Sequence, residues 1–79
     1  MRYSIETKLK TSEVLDLAEG YFGAGGLGLE RTSRDDCCVS FEGGGGHVTV
    51  TVIEGEKTSV DMETREWDYH AKKFMTDKL

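Results

Sequence analysis

The chain is short of several residue types and segments that would point to a particular class of protein. It contains no proline, one tryptophan and two cysteines. No apolar run approaches the roughly 20 residues of a membrane-spanning helix, and residues 1–6 lack the apolar segment of a secretory signal. We therefore expect a cytoplasmic protein without a membrane span. The absence of proline has no single interpretation.

Basic residues are also scarce, which bears on the choice of partners. Ten Lys and Arg stand against 15 Asp and Glu, the formal net charge is −5, and only Lys72 and Lys73 are adjacent. Binding to nucleic acid or to anionic membranes begins with clustered basic side chains, so the composition predicts neither partner. With 37% apolar and 32% charged residues, the chain is predicted to form one soluble globular domain over residues 1–79.

Alternating apolar and polar residues predict five β-strands. The clearest strand covers residues 48–53, where three valines on one face alternate with two threonines and an isoleucine on the other. All six are β-branched residues, which favour strands. The same alternation predicts strands over residues 3–9, 27–32, 37–42 and 57–63.

Two helices are predicted from apolar residues at helical spacing. The first follows an N-cap at Thr11 or Ser12 and ends at Gly20 or Gly23, and the second follows an N-cap at Thr64. Their apolar stripes are Val14, Leu15, Ala18, Tyr21 and Phe22 in the first helix, and Trp67, Ala71, Phe74 and Met75 in the second.

The lengths of the turns predict how the strands pair. Gly44 and Gly45 suit a two-residue hairpin turn, and residues 54–56 and 33–35 suit three-residue loops. All three hairpins then place apolar side chains on one face of the sheet. The predicted pairs are, in that order, Phe41 with Val48, Val60 with Val50, and Leu29 with Val39.

Together these elements predict an α+β fold in the order β-α-β-β-β-β-α. It has a single antiparallel five-stranded sheet, with both helices packed on one face. The first strand lies either beside the fifth, giving the sheet order 1-5-4-3-2, or beside the second as a parallel crossover. We favour the first arrangement, because it leaves the valine strand central and the glycine-containing second strand at an edge.

This element order resembles the repeated module of the TATA-box-binding protein, and it is also similar to a shortened helix-grip fold of START-type domains. The helix-grip resemblance implies an apolar ligand held between the sheet and the C-terminal helix, which bears Trp67 and Phe74. The TATA-box module binds DNA through its open sheet face. Here that face is predicted to carry five carboxylates against one lysine and no aromatic wedge, which argues against DNA.

Three local motifs carry chemistry in other proteins but are not arranged for it here. Residues 23–28 match G-x-G-x-x-G, yet they follow a predicted helix and precede a strand, the reverse of what nucleotide binding needs. Adjacent strand residues point to opposite faces, so we expect Cys37 in the core opposite Val52 and Cys38 as an exposed or interface thiol. His47 lies too far along the hairpin to complete a metal site with them. We predict no catalytic residues, no metal and no cofactor.

Two functions follow as hypotheses, and neither is an enzyme. The first is a small non-enzymatic protein-interaction or self-associating module, whose open sheet face, rich in Thr and Ser, binds a protein partner or a second copy. The second is a binder of a small apolar or amphipathic ligand between the sheet and the C-terminal helix. Its candidate ligand-binding residues are Phe22, Phe41, Trp67 and Phe74.

Overall fold

Seven elements follow one another in the computed structural model, which describes residues 2–79. The sheet has five antiparallel strands in the order β1-β5-β4-β3-β2, so the predicted α+β fold and strand order are confirmed. The elements are β1 (Arg2–Thr7), α1 (Thr11–Phe22), β2 (Glu30–Arg34), β3 (Cys38–Gly43), β4 (Gly46–Ile53), β5 (Thr58–Arg65) and α2 (Asp68–Lys78).

One face of the sheet is buried beneath both helices. Val50 and Met62 at its centre, Phe22 on α1 and Phe74 on α2 are all 0% exposed. Burying a side chain of this size stabilises the folded state by about 1.5–3 kcal/mol, so this layer is the main source of stability. The core comprises Val14, Leu15, Ala18, Phe22, Leu29, Val39, Phe41, Val48, Val50, Val52, Val60, Met62, Ala71, Phe74 and Met75.

The predicted hairpin between β3 and β4 is confirmed. Phe41 pairs with Val48, and Gly44 and Gly45 have positive φ angles of 58° and 82°. A two-residue hairpin turn of type I′ needs positive φ at both central positions, which glycine adopts without strain. The turn therefore sets the register of the two strands.

The predicted register of β4 against β5 is wrong by two residues. Val50 pairs with Met62, and Val52 pairs with Val60, because residues 54–57 form a longer loop than predicted. Side chains in a strand alternate with a period of two. A shift of two therefore changes the partners and leaves every side chain on its predicted face.

The predicted position of β2 is also wrong. The strand does not begin at Leu27, because the backbone of the preceding loop folds back onto the end of α1. The N–H of Leu27 donates to the carbonyl of Tyr21, and the N–H of Leu29 donates to the carbonyl of Phe22, both at 2.9 Å. Both leucines still pack on the core, but they lie outside the ladder of strand pairs.

Two arginines stand where the leucines were predicted to pair with β3. Arg31 lies opposite Phe41 and Arg34 opposite Val39, with a register irregularity between Arg31 and Ser33. Both arginines reach carboxylates on α1. Arg31 forms an ion pair with Glu19 at 2.5 Å. Arg34 also pairs with Glu19, and it pairs with Asp16 at 3.0 Å.

Both predicted helix caps differ from those observed. Helix α1 begins at Thr11 itself, and the backbone N–H of Lys10 before it donates to the Glu13 carboxylate at 3.1 Å, as in a capping box. Thr64 does not cap α2. It lies in β5, is 1% exposed, and donates its hydroxyl to the carbonyl of His47 at 3.0 Å. Among residues 2–79, no helix has the length and apolar character that crossing a membrane requires.

We predict that the Glu19→Gln substitution lowers the free energy of unfolding by about 1–2 kcal/mol. This exceeds the roughly 0.2–1 kcal/mol of a fully exposed ion pair, because the side chains of Glu19 and Arg34 are only 26% and 27% exposed. Urea unfolding measures the change. Asp77→Asn, which removes the more exposed pair with Lys73, is the matched control. Equal losses for the two variants would contradict the prediction.

Candidate functional site

The structure brings together three of the four candidate ligand-binding residues. Phe22, Phe41 and Phe74 are each 0% exposed. The ring centroid of Phe22 lies 5.8 Å from that of Phe41 and 5.4 Å from that of Phe74, which is the spacing of rings in contact. The three rings therefore form one packed cluster between the sheet and the two helices.

Trp67, the fourth candidate, lies at the edge of the core. It is the residue before α2 and is half-buried, and its indole N–H donates to the carbonyl of Gly43 at 2.8 Å. Its ring stacks near His70, with 5.6 Å between centroids. Trp67 therefore fastens the start of α2 to the tip of the β3–β4 hairpin.

A ligand between the sheet and α2 would have to separate rings that now touch one another. The depressions described below are lined by none of Phe22, Phe41, Phe74 or Trp67. The apolar-ligand hypothesis thus stays a prediction, and the observed contacts assign these rings a packing role.

The sheet face opposite the helices, called the open face here, is covered by no element among residues 2–79. On this face Ser40 lies opposite Thr49, with 3.4 Å between their hydroxyl oxygens. On the other side of β4, Thr49 lies opposite Glu63 and Thr51 opposite Asp61. Ile53 at one end is 60% exposed. The strand register places on this face Arg2, Ser4, Glu6, Glu30, Ser33, Cys38, Ser40, Glu42, His47, Thr49, Thr51, Ile53, Ser59, Asp61, Glu63 and Arg65.

Charged side chains of β5 and β1 lie beside the threonines of β4 on this face. Arg2 binds Asp61 through two nitrogens, with Nε at 2.9 Å and Nη2 at 2.5 Å from the same oxygen, and this hydrogen bond and charge raise the pKa of Arg2 above its ordinary value. His47 Nε2 lies 3.5 Å from Glu63 Oε1. Sequence reasoning missed Arg2 and Arg65, because the predicted strands stopped short of both residues.

The open face is acidic on balance. Its carboxylates are Glu6, Glu30, Glu42, Asp61 and Glu63, against the two arginines Arg2 and Arg65. Such a face repels phosphate groups, which is the physical basis of the prediction that it does not bind DNA.

The prediction for the two cysteines is wrong. Cys37 and Cys38 form a disulfide with each other, and their Cα atoms are 3.7 Å apart. Cys37 is exposed and Cys38 half-buried. Strand alternation does not apply to Cys37, because β3 begins at Cys38. Two backbone hydrogen bonds hold the segment before β3 in place. The N–H of Asp35 donates to the carbonyl of Cys38, and the N–H of Val52 donates to the carbonyl of Cys37, both at 2.8 Å.

The depressions in the surface are open to solvent. The first has a volume of about 510 Å³ and lies where the β1–α1, β2–β3 and β4–β5 loops meet. It brings Lys10 and Arg34 near Asp36, and the Thr11 hydroxyl donates to Glu54 at 3.0 Å across it. Among residues 2–79, no group of three or more His, Cys, Asp or Glu side chains is placed to hold a metal ion.

The glycine-rich segment at residues 23–28 connects α1 to β2, as predicted. The N–H of Gly28 donates to the carbonyl of Gly23 at 2.8 Å, and Gly23 caps the end of α1. A helix C-terminus presents carbonyl groups, which do not attract phosphate. The local geometry therefore assigns this motif to helix termination.

Comparison with known proteins gives no relative from which a function could be transferred. No family model, no curated protein and no solved structure matches the chain. The resemblance to TATA-box-binding and START-type domains accordingly stays a prediction based on element order.

We predict that Gly44→Ala destabilises the protein by about 1 kcal/mol more than Gly45→Ala. Both positions have positive φ, which costs an alanine roughly 1–2 kcal/mol. Only a Cβ on residue 44 would also lie 2.9 Å from Cζ2 of Trp67, whereas residue 45 has open space. Urea unfolding gives the stability difference, and the fluorescence of the single tryptophan should shift in the first variant alone. Equal spectra and stabilities would refute the contact.

We predict that the purified, unreduced protein has a mass two hydrogens below that of its dithiol form and resists alkylation, because Cys37 and Cys38 are bonded. Replacing both with serine should lower the free energy of unfolding by no more than about 1 kcal/mol, since the loop that they close is the shortest there can be. Rapid alkylation of both thiols without a reductant would show that the bond is absent.

Proposed function

We propose that this domain is a non-enzymatic protein-interaction module that self-associates through its β-sheet. The observation that carries the proposal is that both helices pack on one side of the sheet, so residues 2–79 leave the open face and the outer edge of β1 uncovered. A sheet with free surfaces of this kind is a template for contact with another chain.

Two ion pairs support a structural role for the charged side chains. Arg34 with Glu19 joins β2 to α1, and Arg2 with Asp61 joins β1 to β5. Each pair connects two elements across the surface, as structural ion pairs do. The proposal therefore assigns these ion pairs a structural role. Separately, it includes a cytoplasmic location for the protein.

The apolar-ligand alternative has weaker support. Its candidate residues Phe22, Phe41 and Phe74 are already in contact with one another, so each ring occupies the space that a ligand would need. The uncovered sheet requires no such rearrangement before it can bind a partner.

We expect the average mass measured by size-exclusion chromatography with light scattering to rise from 8.8 kDa towards twice that value as the concentration increases from about 1 µM to about 1 mM, the range in which weak association becomes measurable. A mass that stays at 8.8 kDa over the whole series would remove self-association from the proposal. The same series at high salt reports how much charge contributes, because salt screens exposed charges.

A further inference from the structure

The two edges of the sheet differ in their readiness to accept another strand. Strand β1 pairs with β5 without interruption over six residues, from Arg2 with Glu63 to Thr7 with Thr58. Among residues 2–79, no strand lies along its other side. A regular edge strand of this length offers a row of unpaired backbone N–H and C=O groups.

The opposite edge is protected. Strand β2 has only five residues and a register irregularity between Arg31 and Ser33. Arg31 and Arg34 are turned towards α1, where Glu19 binds both. A short strand, an irregularity and inward-pointing charges are the devices by which proteins prevent pairing at an edge. An incoming strand therefore meets fewer obstacles at β1.

We propose that two copies of this chain join β1 to β1, antiparallel, about a two-fold axis at Ser4, so that their two sheets continue as one. This inference rests on the proposed self-association and names the surface that carries it. Both sets of helices then lie on the same side of the combined sheet, and the open face stays uncovered in both copies.

The register follows from the charges on β1. With the axis at Ser4, Arg2 of each copy lies opposite Glu6 of the other. An axis at Ile5 would place Arg2 opposite Lys8, and an axis at Tyr3 would place it opposite Ser4. Opposite charges that face each other across strands stabilise a sheet, and like charges destabilise it. The Ser4 axis thus gives two attractive pairs in each dimer.

The apolar side of β1 agrees with the same register. Tyr3 of one copy lies opposite Ile5 of the other, and both residues are half-buried at the rim of the core. Tyr3 is held in place, because its hydroxyl donates to Asp68 at 2.8 Å and Lys72 Nζ lies 5.3 Å from its ring centroid. The hydrogen bond to Asp68 also raises the pKa of Tyr3.

The charges oppose the alternative in which two open faces stack on each other. Each face carries five carboxylates, Glu6, Glu30, Glu42, Asp61 and Glu63, and two arginines. Two copies placed face to face would bring these acidic surfaces together, and like-charge contact disfavours an interface. At the β1 edge, Glu6 is exposed and forms no ion pair with any of residues 2–79. It can therefore join the Arg2–Asp61 pair of the second copy, in which the Arg2 side chain is still 71% exposed.

A disulfide cross-link distinguishes the edge from the open face. At the axis the two Ser4 Cα atoms would lie about 4.5–5.5 Å apart, within the range that a disulfide spans. Ser4→Cys in the full chain should therefore form a covalent dimer under mild oxidation. Thr51→Cys at the centre of the open face is the matched control. Peptide mapping identifies the bond, because Cys37 and Cys38 are paired with each other.

The outcomes separate the two proposals. Cross-linking at residue 4 that is at least about tenfold faster than at residue 51 supports the edge dimer, since only neighbouring Cα atoms can be bridged. Faster cross-linking at residue 51 overturns the edge dimer and leaves self-association intact. If neither variant cross-links and light scattering reports a monomer, both proposals fail.

Charge reversal tests the register independently. In a Glu6→Lys homodimer both cross-copy pairs become repulsive, so the dissociation constant should rise by about tenfold or more. Glu56→Lys, in the exposed β4–β5 loop, makes the same change in net charge and should not weaken association. Unchanged association of the Glu6→Lys variant would overturn the register.

A mixture of two charge-reversed variants should restore association. Arg2→Glu alone should also weaken self-association, because the introduced carboxylate would face Glu6 of the other copy. When this variant is mixed with Glu6→Lys, every cross-copy pair is again of opposite charge, and a heterodimer should form with nearly the original affinity. Circular dichroism confirms that each variant is folded. Failure of the folded variants to form the heterodimer would refute the Ser4 axis.

Discussion

Burial of the valine face of β4 is the constraint on which the rest of the structure depends. Val48, Val50 and Val52 are 0–4% exposed, and β4 lies in the middle of the sheet. Its neighbours must present apolar side chains to the same layer, because a slip of one residue would turn them towards solvent. The helices then supply the rings that complete this layer, among them Phe22 and Phe74.

The need to bury apolar side chains is weaker at the edges of the sheet, and the two edges differ in the residues that they present to the helices. At β2 the inward positions are arginines, whose charges are satisfied by Glu19 and Asp16 on α1. The ion pairs close this edge and fasten it to the helix. At β1 the inward positions are Tyr3 and Ile5, which remain half-buried. Within residues 2–79, the β2 edge is therefore closed by ion pairs and the β1 edge has no neighbouring strand, and this asymmetry is the basis of the proposed interaction.

Features of the candidate site that depend on local sequence pattern could be predicted, whereas features that depend on contacts between distant residues could not. The open face followed from strand alternation, and the grouping of Phe22 and Phe74 between the sheet and the helices followed from their helical spacing. The disulfide was not predicted, because side chains alternate only within a strand and β3 begins at Cys38, one residue after Cys37. The hydrogen bond from Trp67 to Gly43 joins residues 24 apart in the chain and has no local signature.

The sequence by itself determined the element order, the buried face of every central strand and the turn at Gly44 and Gly45. Each of these is a local property, set by side-chain period or by the backbone angles that glycine permits. Only the tertiary structure decided the β4–β5 register and the start of β2. A shift of two residues leaves the hydrophobic pattern unchanged, and the loop before β2 is folded by hydrogen bonds to the end of α1. The hydrophobic pattern determines which face of a strand is buried, whereas packing and long-range hydrogen bonds determine which residues it pairs with.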